Sequence, residues 1–282
     1  MNFLSCGRFK LPLTRPLIMG VINATPDSFS DGGEFIELNQ ILTRADRLIA
    51  EGADLLDIGG ESTRPGAAPV PLEEERRRVL PAVEKLASGG VPVSIDTQKP
   101  ELMREAVAAG VSMVNDVNGF RAPGALEAVA GSDAAICIMH MQGEPRNMQA
   151  NPGYGNVTAE VRQYLSQRVH VAEAAGISRE RIVIDPGFGF GKTLAHNLTL
   201  LKTLKELDGV GGALLAGLSR KTMLGAITGR EPASRVHASV AAALLAVQHG
   251  ANIVRVHDVG ATRDARAVWQ AVMHDSVARL EH

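Results

Sequence analysis

Residues 182–193 read IVIDPGFGFGKT. Three branched apolar residues run into Asp185 and Pro186, and glycines then alternate with phenylalanines as far as Lys192 and Thr193. Branched apolar residues are typical of a buried strand, and glycines let the backbone turn tightly. The segment therefore predicts a short buried strand that carries a carboxylate to its end, followed by a tight turn.

The last three letters of this segment are those of a nucleotide-binding loop, but the spacing is wrong. A P-loop requires a glycine five positions before Gly191, and that position is Pro186. A dinucleotide-binding fingerprint requires its last glycine one position later than Gly191. The segment therefore predicts neither an ATP site nor a dinucleotide site.

Similar apolar runs occur along the whole chain, and helical spacing follows each of them. The eight runs are 17–22 (LIMGVI), 55–58 (LLDI), 92–96 (PVSID), 112–116 (SMVND), 134–140 (AAICIMH), 181–185 (RIVID), 213–218 (ALLAGL) and 252–257 (NIVRVH). Repeated strand–helix units predict parallel strands with crossover helices. Eight units predict an α/β fold, a single (β/α)8 TIM barrel over residues 1–282. A doubly wound open sheet is the alternative, although it normally has fewer strands.

Composition narrows the class of protein. The chain has 282 residues, of which 45% are hydrophobic and 21% charged, with a net charge of −2. This charge gives no basic surface for nucleic acid or for a membrane. There is no apolar run of 18 residues. The apolar stretch near the N-terminus is too short for a signal peptide and no basic region precedes it, so we expect a cytoplasmic protein. Cys6 and Cys137 form neither a disulfide framework nor a metal-binding motif.

Polar residues stand at or just after the ends of the predicted strands. They are Asn23, Asp57, Gly59, Gly60, Glu61, Asp96, Asn115, Asp116, His140, Asp185, Ser219, Arg220, Lys221, Arg255, His257 and Asp258. Each one alone is explained equally well as the cap of the next helix. The carboxyl ends of barrel strands share one face, however, and catalytic groups stand there. The set predicts a pocket for a ligand with N–H donors at one end and anionic oxygens at the other.

Two features of this set suggest how the anionic end would be held. Arg255 and His257 alternate on one strand and so point the same way, which suits a diphosphate. Asn23, followed by the polar segment 25–31, could help to hold Mg²⁺, which needs few protein ligands when phosphates complete its shell. A solvated turn explains the composition of residues 23–33 equally well.

Eight segments then resemble one family in order along nearly the whole chain. They are NATPDSFSDGG (23–33), DIGGESTRPGA (57–67), IDT (95–97), NDV (115–117), MHMQG (139–143), DPGFGFGK (185–192), GLSRK (217–221) and RVHDV (255–259). The set resembles the dihydropteroate synthase family. The resemblance implies a folate-pathway transferase and sulfonamide target, usually a homodimer, that joins p-aminobenzoate to 6-hydroxymethyl-7,8-dihydropterin diphosphate with the help of Mg²⁺.

The resemblance also implies roles for individual residues. The pterin would be held by Asp96, Asn115, Met139, Asp185, Phe190, Gly217, Lys221 and Arg255. The diphosphate would be held by Asn23, Thr63, Arg255 and His257, with Asn23 on the metal. The p-aminobenzoate site would be formed by Phe29, Arg64, Pro65, Ser219 and Arg220. Asp96, Lys221 and Asn23 would be catalytic.

Three other functions predict different residues at these positions. A corrinoid-linked methyltransferase that binds methyltetrahydrofolate should lack the segment 219–221. A non-catalytic paralogue should have lost residues such as Thr63 or Lys221, and neither is lost. A sugar-phosphate aldolase or isomerase should show a lysine on a strand or a Glu/His pair, and no predicted strand carries a lysine.

Overall fold

The computed structural model describes residues 3–24, 34–62 and 66–273 of the chain. A hairpin of β1 (Phe3–Cys6) and β2 (Phe9–Pro12) precedes the barrel strands. Those strands are β3 (Leu17–Asn23), β4 (Leu55–Gly59), β5 (Val93–Asp96), β6 (Met113–Asp116), β7 (Ala135–Met139), β8 (Ile182–Asp185), β9 (Ala213–Ala216) and β10 (Ile253–Val256). They are parallel and close into a barrel in sequence order, with β10 beside β3. The predicted TIM barrel is confirmed.

The helices surround the barrel. They are α1 (Glu34–Ala50), α2 (Leu72–Leu86), α3 (Pro100–Ala108), α4 (Glu127–Ala130), α5 (Val157–Ala174), α6 (Leu194–Lys202), α7 (Thr222–Thr228), α8 (Val236–Gln248) and α9 (Val259–Met273). Both α7 and α8 follow β9, and α4 is a single turn. None of the helices in the described ranges is long and apolar enough to cross a membrane.

Alternation along the strands builds two apolar layers. Leu17 and Met19 of β3 point into the barrel, whereas Ile18 and Ile22 pack outward against the helices. Cys137 lies in the inner layer as a free thiol. Because both faces are covered, nearly every strand residue is buried, which is why the strands read as continuous apolar runs.

The hairpin was not predicted, because its two strands have only four residues each. Leu4 and Cys6 are fully buried against the inner layer of the barrel. Cys6 Sγ donates to the carbonyl of Ser112 at 3.3 Å, and the Gly7 N–H donates to Asp133 O at 3.0 Å. The hairpin thus packs against the ends where the barrel strands begin. The opposite ends are where the predicted pocket residues lie.

Candidate active site

Strand register aligns the predicted residues at the carboxyl ends of the strands. Asn23 lies opposite Gly59, Gly59 opposite Asp96, and Asp96 opposite Asn115. On the other side of the mouth, Met139 lies opposite Asp185. Because parallel strands in register end at one rim, these residues from six strands share one opening.

A network of charged side chains lies at the floor of this opening. Arg255 Nε donates to Asp57 Oδ2 at 2.6 Å, and Arg255 Nη2 donates to Asp96 Oδ2 at 2.9 Å. The Asn115 amide donates to the same Asp57 oxygen at 3.2 Å. Burial raises the pKa of Asp96, although the Arg255 guanidinium acts in the opposite direction. The network thus pairs two strand-end carboxylates, Asp57 and Asp96, with one cation.

Lys221 and Asp185 form the second charged part of the opening. Gly217 lies between them, since a Cβ placed there would be 3.8 Å from Lys221 Nζ and 3.9 Å from Asp185 Oδ2. Lys221 Nζ donates to the carbonyl of Phe188, and burial lowers the pKa of Lys221 to about 8 in spite of the nearby Asp185. Asp185 accepts the Gly187 N–H at 2.7 Å, and burial raises the pKa of Asp185.

An apolar wall stands beside these charges. Met139 belongs to a small buried cluster with Val117, Met141 and Met148, and Phe190 packs against that cluster. The Lys221 ammonium lies 4.7 Å from the centre of the Phe190 ring, a cation–π contact. A flat wall next to a row of acceptors suits a planar heterocycle with donor groups along one edge.

Ser219 and His257 lie together at the rim. The Ser219 hydroxyl accepts the backbone N–H of His257 at 3.2 Å and lies 3.0 Å from its Nδ1. Burial and the neighbouring Arg255 lower the pKa of His257 to about 4, so its ring is neutral near pH 7. A neutral imidazole can still donate one hydrogen bond to an anionic ligand.

Arg220 is held in an unusual conformation at the same rim. Its φ is 59°, a left-handed value that is uncommon outside glycine. Its guanidinium forms a two-point ion pair with Asp258, with Nε–Oδ2 at 3.0 Å and Nη2–Oδ1 at 2.5 Å. Its N–H donates to the Ser239 hydroxyl, and its carbonyl accepts from Arg235. These contacts fix a backbone that would otherwise be strained.

Four predicted residues, Phe29, Thr63, Arg64 and Pro65, lie outside the described residues. Leading into 63–65, Glu61 is bound by the Lys99 ammonium, which also binds the buried Glu75. In the ranges that the structure describes, no cluster of three His, Cys, Asp or Glu side chains could hold a metal ion. Asn23 of β3 thus offers a single half-buried amide at the rim.

The structure corrects the residue set in two respects. Asp57 is fully buried on the inner face of β4 and contacts two site residues, Asn115 and Arg255. The sequence predicted only that it lies near a strand end. A carboxylate within the apolar run LLDIG was the available signal, because a buried charge requires a partner. Asp116 was expected at the mouth but instead accepts the N–H groups of Asn118 and Phe120, both at 2.7 Å. It shapes the β6 loop.

The mouth of this barrel has the features of an enzyme that binds a heterocycle at one end and an anion at the other. Residues 19–257 match the family model described as pterin binding enzyme. The dihydropteroate synthase of Neisseria meningitidis serogroup C is 52% identical over 271 residues, covering 94% of this chain and 96% of that protein.

Two solved structures share the fold over almost their whole length. Dihydropteroate synthase from Xanthomonas albilineans with 4-aminobenzoic acid has a TM-score of 0.91 at 54% identity, covering 97% of this chain and 98% of that one. The Burkholderia cenocepacia enzyme complexed with 7,8-dihydropteroate has a TM-score of 0.89 at 53% identity, covering 99% of each. The chain belongs to the pterin-binding enzyme family and, within it, to the dihydropteroate synthases, transferases of folate synthesis.

Proposed function

We propose that the protein joins 6-hydroxymethyl-7,8-dihydropterin diphosphate to p-aminobenzoate, giving 7,8-dihydropteroate and diphosphate. The observation that carries this proposal is the division of the mouth into acceptors and cations. Asp96, Asn115 and Asp185 offer oxygen acceptors, while Lys221 and Arg255 stand beside them. A pterin has an exocyclic amine and ring N–H groups on one edge, which carboxylate and amide oxygens can bind.

The pterin ring would lie against the wall formed by Met139 and Phe190. The absence of a side chain at Gly217 leaves room beside Lys221 and Asp185. The Lys221 ammonium is already close to the Phe190 ring and would face a carbonyl of the ligand. Met139 and Asp185 are buried, and Phe190 and Lys221 are partly buried, so less water competes with a bound heterocycle than at an open surface.

The reaction is a group transfer at the methylene carbon of the pterin. The bond from this carbon to the diphosphate oxygen breaks, a bond to the arylamine nitrogen forms, and the amine loses one proton. The electron-rich ring spreads the positive charge that develops on the carbon. The carboxylate of Asp96 would stabilise that charge. Because an arylamine is a neutral nucleophile, no strong base is required.

The diphosphate would be bound by Asn23, Thr63, Arg255 and His257. The single amide of Asn23 fits Mg²⁺ if phosphate oxygens and water complete its shell, because this ion keeps few protein ligands. When bound, the ion would supply charge neutralisation to the leaving group. Arg255 carries a permanent charge beside the same position, which favours departure of the anion.

The p-aminobenzoate would bind between the rim and the two loops near it. Ser219 and Arg220 are the described members of this site, and Phe29, Arg64 and Pro65 are carried over from the family motif. Ser219 lies next to His257, so the amine and the leaving group would meet at one place.

We further propose a cytoplasmic homodimer. Apolar side chains on α8 and α9 support an interface between copies, since Leu245, Val268 and Val272 are 45%, 66% and 72% exposed. Isolated exposed apolar residues are normal, but three on neighbouring helices favour a contact surface. Sedimentation equilibrium should give twice the chain mass, and a monomer at micromolar concentration would contradict the proposal.

The decisive experiment is incubation with the pterin diphosphate, p-aminobenzoate and Mg²⁺. We expect release of inorganic diphosphate that depends on the amine, together with 7,8-dihydropteroate identified by mass. Diphosphate release without an amine requirement, or no product at all, would overturn the assignment. The variant Lys221→Ala should lose product while keeping its fold, which separates the site from a contaminating activity.

A further inference from the structure

The mechanism above gives no role to Asp57, the most buried carboxylate of the mouth. Its side chain is fully buried on the inner face of β4. One oxygen, Oδ2, accepts both from Arg255 Nε at 2.6 Å and from Asn115 Nδ2 at 3.2 Å. These two donors come from β10 and β6, and both belong to the proposed pterin site. Asp57 therefore lies beneath the ligand position, in contact with two groups that would touch the ligand.

We propose that Asp57 is a positioning residue that decides which atoms Asn115 and Arg255 present to the pterin. The inference rests on the proposed function, since it concerns the same substrate and pocket. Asp57 itself would not touch the ligand. Its effect would be transmitted through the orientation of two neighbouring side chains.

The orientation of the Asn115 amide follows from the chemistry of its partner. A carboxylate accepts hydrogen bonds and cannot donate one, so the NH₂ group of Asn115 must face Asp57. The carbonyl oxygen lies on the other side of the planar amide and so faces away from Asp57. Asn115 thereby becomes an acceptor for a ligand N–H. Without a fixed partner the amide could rotate by half a turn. Its NH₂ group would then face the ligand N–H, and both groups are donors.

The guanidinium of Arg255 is fixed in a similar way. Nε is bound to Asp57 and Nη2 to Asp96, so two edges of the planar group are occupied by carboxylates from β4 and β5. Two such contacts determine the plane of the guanidinium. The backbone of Gly217 runs close by, since a Cβ there would be 3.9 Å from Arg255 Cβ. The remaining guanidinium nitrogen, Nη1, is therefore left for a ligand.

The cost of burying Asp57 supports a positioning role. Its second oxygen, Oδ1, is buried and has no hydrogen-bond partner among the described residues. A buried charge with an unsatisfied oxygen is unfavourable for folding, and an apolar residue often gives equal or better stability at such a site. The carboxylate is thus better explained by the two donors that it orients than by stability alone.

The test compares Asp57→Asn with the exchange Asp57→Asn/Asn115→Asp. In the single variant, residue 57 can donate, so Asn115 is free to turn round. We expect the KM and the calorimetric Kd for the pterin diphosphate to rise about tenfold, with KM for p-aminobenzoate within twofold of wild type. In the exchange, the new amide can donate to the new carboxylate, which again presents an acceptor to the ligand. The same amide nitrogen faces Arg255 Nε and cannot accept from it, so the exchange restores the acceptor at position 115 but not the contact to Arg255. We expect part of the lost affinity to return.

A matched control is available on β6, at the residue that follows Asn115. Asp116→Asn also neutralises a buried carboxylate, but Asp116 binds only loop N–H groups in the hydrogen bonds that the structure gives it. It should not restore pterin binding when combined with Asn115→Asp. If Asp57→Asn alone does not fold, the comparison of Asn115→Asp with the exchange decides the same question.

The outcomes separate this inference from the proposed function. Wild-type pterin affinity in Asp57→Asn would overturn the positioning role, as would an exchange no better than either single variant. The calorimetric Kd reports direct binding of the pterin diphosphate, so it is informative even if the wild type makes no dihydropteroate. Wild-type turnover without these effects would leave the function standing and remove the role of Asp57.

Discussion

Lys192 Nζ lies 2.9 Å from Nδ1 of His140, and this contact joins the loop between β8 and α6 to the residue that follows β7. The lysine also donates to the carbonyls of Gly187 and Phe190, at 3.0 and 3.1 Å. Burial and the nearby ammonium lower the pKa of His140 to about 3, so its ring is neutral and can accept. The lysine that resembled a phosphate-binding residue in the sequence holds its own loop instead.

Replacing this lysine should therefore damage the loop. Lys192→Met leaves two buried carbonyls and a buried imidazole without their donor, which should lower the free energy of unfolding by about 1–3 kcal/mol. Because Phe190 belongs to the loop, pterin affinity should fall as well. Thermal unfolding with and without the pterin diphosphate measures both effects.

The control for this variant is Lys202→Met, on the exposed side of α6. It should change neither stability nor affinity appreciably. ATP should not raise the unfolding temperature of the wild-type protein. Protection by ATP would mean that the lysine faces a ligand after all, and an unchanged Lys192→Met variant would show that the lysine does not stabilise the loop.

The charge of Asp96 should matter more for turnover than for folding. Asp96→Asn keeps the shape but removes one charged partner of Arg255 and the carboxylate that we propose stabilises the reacting carbon. Loss of one such electrostatic contact typically costs about 10²-fold in kcat. Steady-state kinetics should show this fall, while circular dichroism shows the native fold. Near-normal turnover would remove Asp96 from the mechanism.

Much of the barrel could be predicted from the sequence because buried parallel strands are written as uninterrupted apolar runs. The segments IVID and NIVRV each combine the apolar residues of a buried strand with a polar residue near its end, Asp185 and Arg255. The β1–β2 hairpin lacks this signal, since FLSC and FKLP are too short to show a period. Its packing on the barrel depends on contacts between residues about a hundred positions apart, such as Cys6 and Ser112.

In the site as well, contacts between residues that are far apart in the sequence could not be predicted. The sequence shows that Asp96 and Arg255 are polar residues at strand ends. It does not show that Asp96 and Asp57 both bind Arg255. This pairing follows from the inward alternation and the stagger of β4, β5 and β10, which place residues 198 positions apart in contact. The direction of Asp116, away from the mouth, is set by the same alternation, since Asn115 next to it points inward.

The activity should fall in alkaline solution because of Lys221. Burial lowers the pKa of this lysine to about 8, below its ordinary value, so its charged fraction declines as pH rises through 8. If the ammonium binds the pterin, kcat/KM for the pterin diphosphate should fall about tenfold for each unit well above that pH. A pH profile from 6.5 to 9.5 at constant ionic strength measures it.

The variant Lys221→Arg is the control for this decline of activity at alkaline pH. A guanidinium stays charged throughout this range, so the variant should have lower activity but no decline near pH 8. The same decline in Lys221→Arg would assign the alkaline limb to another group. An unchanged profile in the wild type would show that the charge of Lys221 is not required.

The ion pair between Arg220 and Asp258 should control the p-aminobenzoate site. Asp258→Asn removes the charge that holds the guanidinium while leaving the backbone contacts of Arg220 to Ser239 and Arg235. KM for p-aminobenzoate should rise several-fold, with KM for the pterin diphosphate unchanged, because Lys221 and Asp185 are not involved in this pair. Asp264→Asn provides the control, because Asp264 is an exposed carboxylate on α9, the helix that follows Asp258, and pairs with Arg263. If both variants behave like wild type, Arg220 is not positioned by Asp258; if both substrates are affected equally, the pair supports the whole rim rather than one subsite.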